Sequence, residues 1–129
     1  MFYDGSCGLC HRTVRFVLAR DRAGHFRFAA LESAAFRAAT TSEQRATLPD
    51  SLIVRAPDGV LRSRSDAVVH ILVHLRGLWR LLGKCLAYVP ARLRDWAYDR
   101  LAASRRRWFA PPETACPVLP AEVRDRFLD

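Results

Sequence analysis

Cys7-Gly8-Leu9-Cys10 follows a short apolar run, Met1-Phe2-Tyr3, and the turn residues Asp4-Gly5-Ser6, and it opens a helical pattern. Two cysteines three apart at the junction of a strand and a helix constrain this chain more than any other feature. A helix N-terminus carries partial positive charge and unpaired N–H groups, both of which favour a thiolate over a thiol. Beside strand–helix alternation, such a pair reads first as a redox motif. Cys7 is expected at or just before the first helical residue, with its sulfur exposed and its pKa lowered by the helix dipole. His11 and Arg12 are placed to add positive charge. Cys10, one turn later, is expected to be the more buried of the two.

The rest of the chain supplies a scaffold for that junction. Apolar positions Cys10, Val14, Val17 and Leu18 give a helix from about Cys7 to Arg20, ended by Asp21-Arg22-Ala23-Gly24. His25 to Leu31 alternates and is rich in aromatics, so it reads as a strand. Residues Glu32 to Leu48 are helical in propensity, with a break or new cap at Thr40-Thr41-Ser42. Ser51 to Arg55 is a strand that turns through Pro57-Asp58-Gly59 into Val60 to Ser63. Ser65 is placed to cap the helix that follows through Val69, Leu72 and Val73. The order β-α-β-α-β-β-α is that of a thioredoxin-like domain, an α/β fold, over residues 1–76.

Residues 77–129 read as a basic helical extension packed on the same domain. Gly77 starts a helix from Leu78 to Val89, and Pro90 opens the next, to about Trp108. Pro111-Pro112 stops it, Cys116-Pro117 to Pro120 is irregular, and a last short helix is expected from about Ala121 to Phe127. Of 21 basic residues in the chain 20 are arginine, and nine basic residues against two acids, Asp95 and Asp99, lie between Arg76 and Trp108. Such a stretch fits either a solvated face or contact with phosphates, anionic lipid or an acidic partner. The tryptophans are expected to pack the extension against the sheet domain while the arginines stay solvated.

Asp4, Cys7 and Cys10 form Asp-x-x-Cys-x-x-Cys, and the surrounding Phe-Tyr-Asp-Gly-Ser-Cys-Gly-Leu-Cys resembles the DCC family of thiol-disulfide oxidoreductases. Phe26-Arg27-Phe28-Ala29, Asp50-Ser51, Ser65-Asp66-Ala67 and Arg107-Trp108-Phe109 with the later Cys116 look like further family landmarks, so the resemblance covers nearly the whole chain. It implies a thioredoxin-like fold and thiol-disulfide exchange through Cys7 and Cys10. In that chemistry Cys7 attacks a substrate disulfide and Cys10 resolves the mixed disulfide. The expected partner is a disulfide or thiol on a protein or small molecule. No dissociable organic cofactor is implied, since the cysteine pair is itself the redox group.

Asp4 has two readings: proton acceptor for Cys10, or a turn residue that pairs with backbone N–H groups. Pro49 precedes the third strand, where thioredoxin-like domains place a cis-proline facing the cysteines, and an ordinary loop proline fits equally. Cys85 is expected in the core, and Cys116 is a third redox thiol, a resolving cysteine or unreactive. His70 and His74 share a helical face but lack a third ligand, which favours packing and surface roles over metal.

Three other functions compete. Cys7-x-x-Cys10-His11 matches the c-type haem signature, which requires export. Zinc held by Cys7, Cys10, Cys116 and a histidine would make a non-enzymatic binding module. The basic, tryptophan-bearing helices suit an anionic membrane surface, with no specific nucleic acid predicted. No signal peptide is visible at Met1 and no apolar run reaches the roughly 18 residues of a membrane span, so a cytoplasmic, reducing location is expected.

Overall fold

The computed structural model describes residues 1–5, 7–48, 52–108 and 124–128. Strand β1 (Phe2–Tyr3) leads through a tight turn into helix α1 (Gly8–Arg20), and β2 (Phe28–Ala30) returns parallel to β1. Two short helices follow, α2 (Ala34–Ala39) and α3 (Ser42–Thr47). Strands β3 (Ile53–Arg55) and β4 (Leu61–Ser63) form a hairpin, with β3 antiparallel to β1. Helices α4 (Arg64–His74), α5 (Leu78–Ala87) and α6 (Ala91–Trp108) precede a last strand, β5 (Phe127–Leu128). The sheet order is β4-β3-β1-β2-β5, a mixed sheet whose first four strands have the thioredoxin-like arrangement.

The period of two along each strand divides the core into two layers. Phe2, Ala29 and Ile53 point to one side and pack on Phe36 of α2. Met1, Phe28, Leu52 and Val54 point to the other, against Val14 and Val17 of α1 and Ala67, Ile71 and Leu75 of α4. The break foreseen at Thr40-Thr41-Ser42 is a capping box: the Thr41 hydroxyl accepts from the Gln44 N–H while the Gln44 side chain accepts from the Thr41 N–H. The Pro57-Asp58-Gly59 turn closes the β3–β4 hairpin, the Ala56 N–H donating to the Val60 carbonyl at 3.0 Å.

Three expectations change here. The last helix expected from about Ala121 to Phe127 lies partly outside the described residues; Arg124 is helical, but Phe127 and Leu128 form a strand that pairs in parallel with Phe28 and Ala29. The pairing is held by Arg126, whose guanidinium pairs with Asp21 and also donates to the Phe26 carbonyl at 3.0 Å. The buried Asp21 carboxylate in turn accepts from the N–H groups of His25 (3.1 Å) and Phe26 (2.8 Å). Asp21, read as a helix terminator, is the hub that joins α1, β2 and β5.

Ser65 does not cap α4. Ser63 is the N-cap, without a side-chain hydrogen bond, and Ser65 lies inside the first turn, where its hydroxyl donates to Asp95 of α6. Arg64 pairs with Asp99, and Arg94 pairs with Asp66 at 3.2 Å. Both acids of α6, Asp95 and Asp99, are thereby directed at the start of α4.

The tryptophans differ. Trp79 packs edge-on against Phe16 of α1 at 4.8 Å, with the Arg20 guanidinium over both rings. Trp96 is 58% exposed and stacks with Arg100 instead of entering the core. The side chain of Trp108 lies outside the described residues. Gly77, at φ +68°, supplies the left-handed conformation that starts α5. Gly83 lets α5 approach α4 so closely that a Cβ there would meet the Val73 nitrogen at 2.7 Å.

Candidate dithiol site

The turn after β1 fixes where the cysteines sit. The Cys7 N–H donates to the Asp4 carbonyl at 3.2 Å, and Cys7 becomes the N-cap of α1 with extended backbone (φ −97°, ψ 115°). Its carbonyl then accepts the first helical hydrogen bond, from His11 N–H at 3.1 Å. The Cys7 side chain makes no cap hydrogen bond to the backbone of α1. No acidic residue occupies the first turn of α1, so the positive end of the helix is not offset there.

His11 has a definite structural contact. Its Nε2 lies 2.8 Å from the Gly5 carbonyl, and because a carbonyl only accepts, Nε2 carries the proton. The ring also packs edge-on against Tyr3 at 5.6 Å. His11 therefore ties the helix back to the turn that carries Asp4. The spacing Gly5…His11 across a helix start was the available signal for this contact. Arg12 is exposed on the helix surface.

The two cysteines are nearly equal in burial, 9% exposed for Cys7 and 7% for Cys10. The expected exposed sulfur at Cys7 is thus corrected: the turn brings residue 7 into the protein interior alongside Cys10. Both are thiols in this structure. Burial, a hydrogen bond with Cys7 and the negative charge that Cys7 can carry together push the Cys10 thiol up to about 12. A backbone hydrogen bond from Asp4 acts the other way, and the Asp4 carboxylate adds to the upward push. Cys7 and Asp4 are therefore both close enough to Cys10 to act on its thiol.

The other chemistry-bearing residues lie elsewhere. Cys85, expected in the core, is exposed on α5, because the side of that helix facing α4 is taken by its neighbours. The His70 and His74 rings lie 4.2 Å apart on α4, tilted by 35°, with His74 Nδ1 2.7 Å from the His70 carbonyl. Burial, then the His74 charge and the Arg62 charge, lower His70 to about 4. Among the described residues no three of His, Cys, Asp and Glu are grouped to hold a metal. Pro49 and Cys116, the latter needed for the expected zinc set, lie outside the described residues. Among the described residues no helix is long and apolar enough to cross a membrane.

A pair of cysteines at the start of the first helix, in a sheet of this order, defines a thioredoxin-like dithiol protein. The chain belongs to the DCC1-like thiol-disulfide oxidoreductase family, whose model matches residues 1–111. It is 31% identical over 128 residues to the uncharacterized protein YuxK of Bacillus subtilis (strain 168), covering 99% of this chain and 92% of that relative. It is also 31% identical over 109 residues to a chloroplastic DCC family protein of Arabidopsis thaliana, covering 84% of this chain and 63% of the relative. No solved structure matches it significantly. The family supports a general thiol-disulfide oxidoreductase role.

Proposed function

We propose that this protein exchanges a Cys7–Cys10 dithiol or disulfide with disulfides or thiols of protein or small-molecule substrates. The observation that carries the reading is the pair of buried thiols at one helix start, Cys7 at the N-cap of α1 and Cys10 in its first turn, on a sheet of thioredoxin-like order. In the reducing direction the Cys7 thiolate attacks one sulfur of the substrate disulfide. The substrate S–S bond breaks, one substrate thiolate leaves, and a mixed disulfide joins Cys7 to the other half. Cys10 then loses its proton and attacks Cys7 Sγ. That step breaks the mixed disulfide, releases the second substrate thiolate and leaves Cys7–Cys10 oxidised, so two electrons pass to the substrate. The reverse sequence oxidises a substrate dithiol.

Asp4 is the proton acceptor in this scheme. At about pH 7 a thiol with a pKa near 12 is ionised only about one part in 10⁵, so resolution by Cys10 gains from a base beside it. A reducing compartment such as the cytoplasm suits a protein that must be returned to the dithiol form.

The test is equilibration of the metal-free protein in graded thiol–disulfide buffers, with alkylation of free thiols and peptide mapping of Cys7, Cys10, Cys85 and Cys116. A reversible Cys7–Cys10 disulfide is expected, and its midpoint reports the direction of electron flow. Cys7→Ser abolishes exchange and Cys10→Ser accumulates mixed disulfides. Exchange persisting in Cys7→Ser, or both thiols alkylated at every ratio, refutes the assignment.

A further inference from the structure

Helix α5 carries more apolar surface than its packing uses. With about 3.6 residues per turn, Trp79, Gly83 and Leu86 share one side. Trp79 meets Phe16 and Gly83 abuts the α4 backbone, so that side faces the protein. Leu78, Leu81, Leu82 and Cys85 fall on the adjoining arc, and they are exposed: 67% for Leu78, 58% for Leu81 and 44% for Leu82. Tyr88, at the C-cap, is exposed beside them. An exposed run of three leucines at i, i+3 and i+4 is a contact surface seeking a cover.

Charge selects the cover. Residues 76–92 contain four cations, Arg76, Arg80, Lys84 and Arg92, and no acid. None of these four forms an ion pair among the described residues. The nearest following acids, Asp95 and Asp99, are directed at Ser65 and Arg64. A second copy of this chain would bring the same four cations against themselves in a two-fold interface, which like-charge repulsion disfavours. A nucleic acid would engage the cations and leave the leucines wet. A surface of anionic phospholipid suits both, with acyl chains for the leucines and headgroups for Lys84 at the edge of their arc, the remaining cations adding longer-range attraction.

We propose that α5 is an interfacial helix that docks this protein on an anionic phospholipid surface. Trp79 meets α1 at Phe16, nine residues from Cys7, or roughly 14 Å along the helix axis. Docking through α5 therefore leaves the dithiol turn beside the contact and outside it. The proposal is independent of the thiol-exchange reading.

The test is co-sedimentation of the full-length reduced protein with phosphatidylcholine vesicles, with and without phosphatidylglycerol. Retention is expected only on the anionic vesicles, and it falls as salt rises. At about fivefold for a cation near the surface, Lys84→Ser, one turn beyond Leu81 at the edge of the leucine arc, weakens binding roughly fivefold. Leu81→Gln with Leu82→Gln weakens it at least tenfold while leaving circular dichroism unchanged, because both side chains are exposed in the free protein. In the unmutated protein, Cys85 is alkylated more slowly on anionic vesicles than in solution. Equal retention on neutral vesicles, no retention at low salt, or full retention of the leucine variant each overturns the proposal. So does a dimer that the leucine variant dissociates without any lipid binding by either form.

Discussion

Replacing Asp4 by asparagine separates two roles that act on Cys10 in opposite directions. The Asp4 carboxylate raises the pKa of Cys10 through its charge, so removing that charge makes the thiolate more abundant. If Asp4 were only an electrostatic neighbour, Asp4→Asn would therefore speed the resolving step. If Asp4 accepts the Cys10 proton, the substitution removes the base and slows that step, despite the lower pKa. A positioned general base contributes on the order of 10²–10⁴ in rate. Against the gain from the fallen pKa, a net loss of at least about tenfold is expected, within that range.

The assay is a single turnover with an aromatic disulfide whose thiolate is coloured. Attack by Cys7 releases one equivalent, and attack by Cys10 releases the second. Only the second phase should slow in Asp4→Asn. Its slope against pH should also steepen toward direct dependence on hydroxide, since no internal acceptor remains. A second phase that is unchanged or faster refutes the role assigned to Asp4.

Arg126→Met tests the clamp on the last strand. It strands the Asp21 carboxylate, whose side chain is 1% exposed, without its counter-charge, which costs about 3–5 kcal/mol and lowers Tm by about 10–20 °C for a chain of this size. Adding Asp21→Asn should recover part of that loss, and strictly additive losses in denaturant titrations refute the coupling. His70 makes a pH prediction. Its folded pKa of about 4 lies below the ordinary 6.5, so the unfolded chain binds more protons between those values. Stability is therefore fully present above about pH 6.5 and is lost as pH falls toward 4; His70→Gln should flatten that slope, and unchanged acid sensitivity would refute it. The thiol of Cys10 has the opposite sense: its folded pKa is raised from 9.0 to about 12, so its contribution is present below pH 9 and lost as pH climbs through 12. Cys10→Ala should remove that alkaline dependence in denaturation measured across the range.

The elements carrying the cysteines were legible because each rests on local signals. The strand–turn–helix order around Asp4-Gly5-Ser6, the period-two strands and the Pro57-Asp58-Gly59 hairpin need no distant information. What could not be read depends on residues far apart in the chain. Burial of Cys7 is decided by how its turn sits on the sheet. A two-residue strand such as Phe127–Leu128 has no period of its own, and its partner lies about 100 residues earlier. Arg126 and Asp21 look like ordinary surface charges until that pairing brings them together. Cys85 sits in an apolar segment, but an apolar helix side is buried only where another element reaches it, and α4 reaches the side of Gly83 instead.

The pairing of β5 with β2 also sets the order in which the molecule can be completed. While the chain is being synthesised, α1, β1 and β2 can associate early, yet one edge of β2 has no neighbour until residues 126–128 have emerged. Until then Phe28 lacks the stacked ring of Phe127, and Asp21 lacks its guanidinium. A nascent chain thus presents an unpaired aromatic strand edge, the kind of surface on which chains associate wrongly. Such long-range closure also slows folding, because the loop must be gathered before any contact repays it. The last strand is accordingly the step at which chaperones or translation speed would have most influence on the yield of this protein.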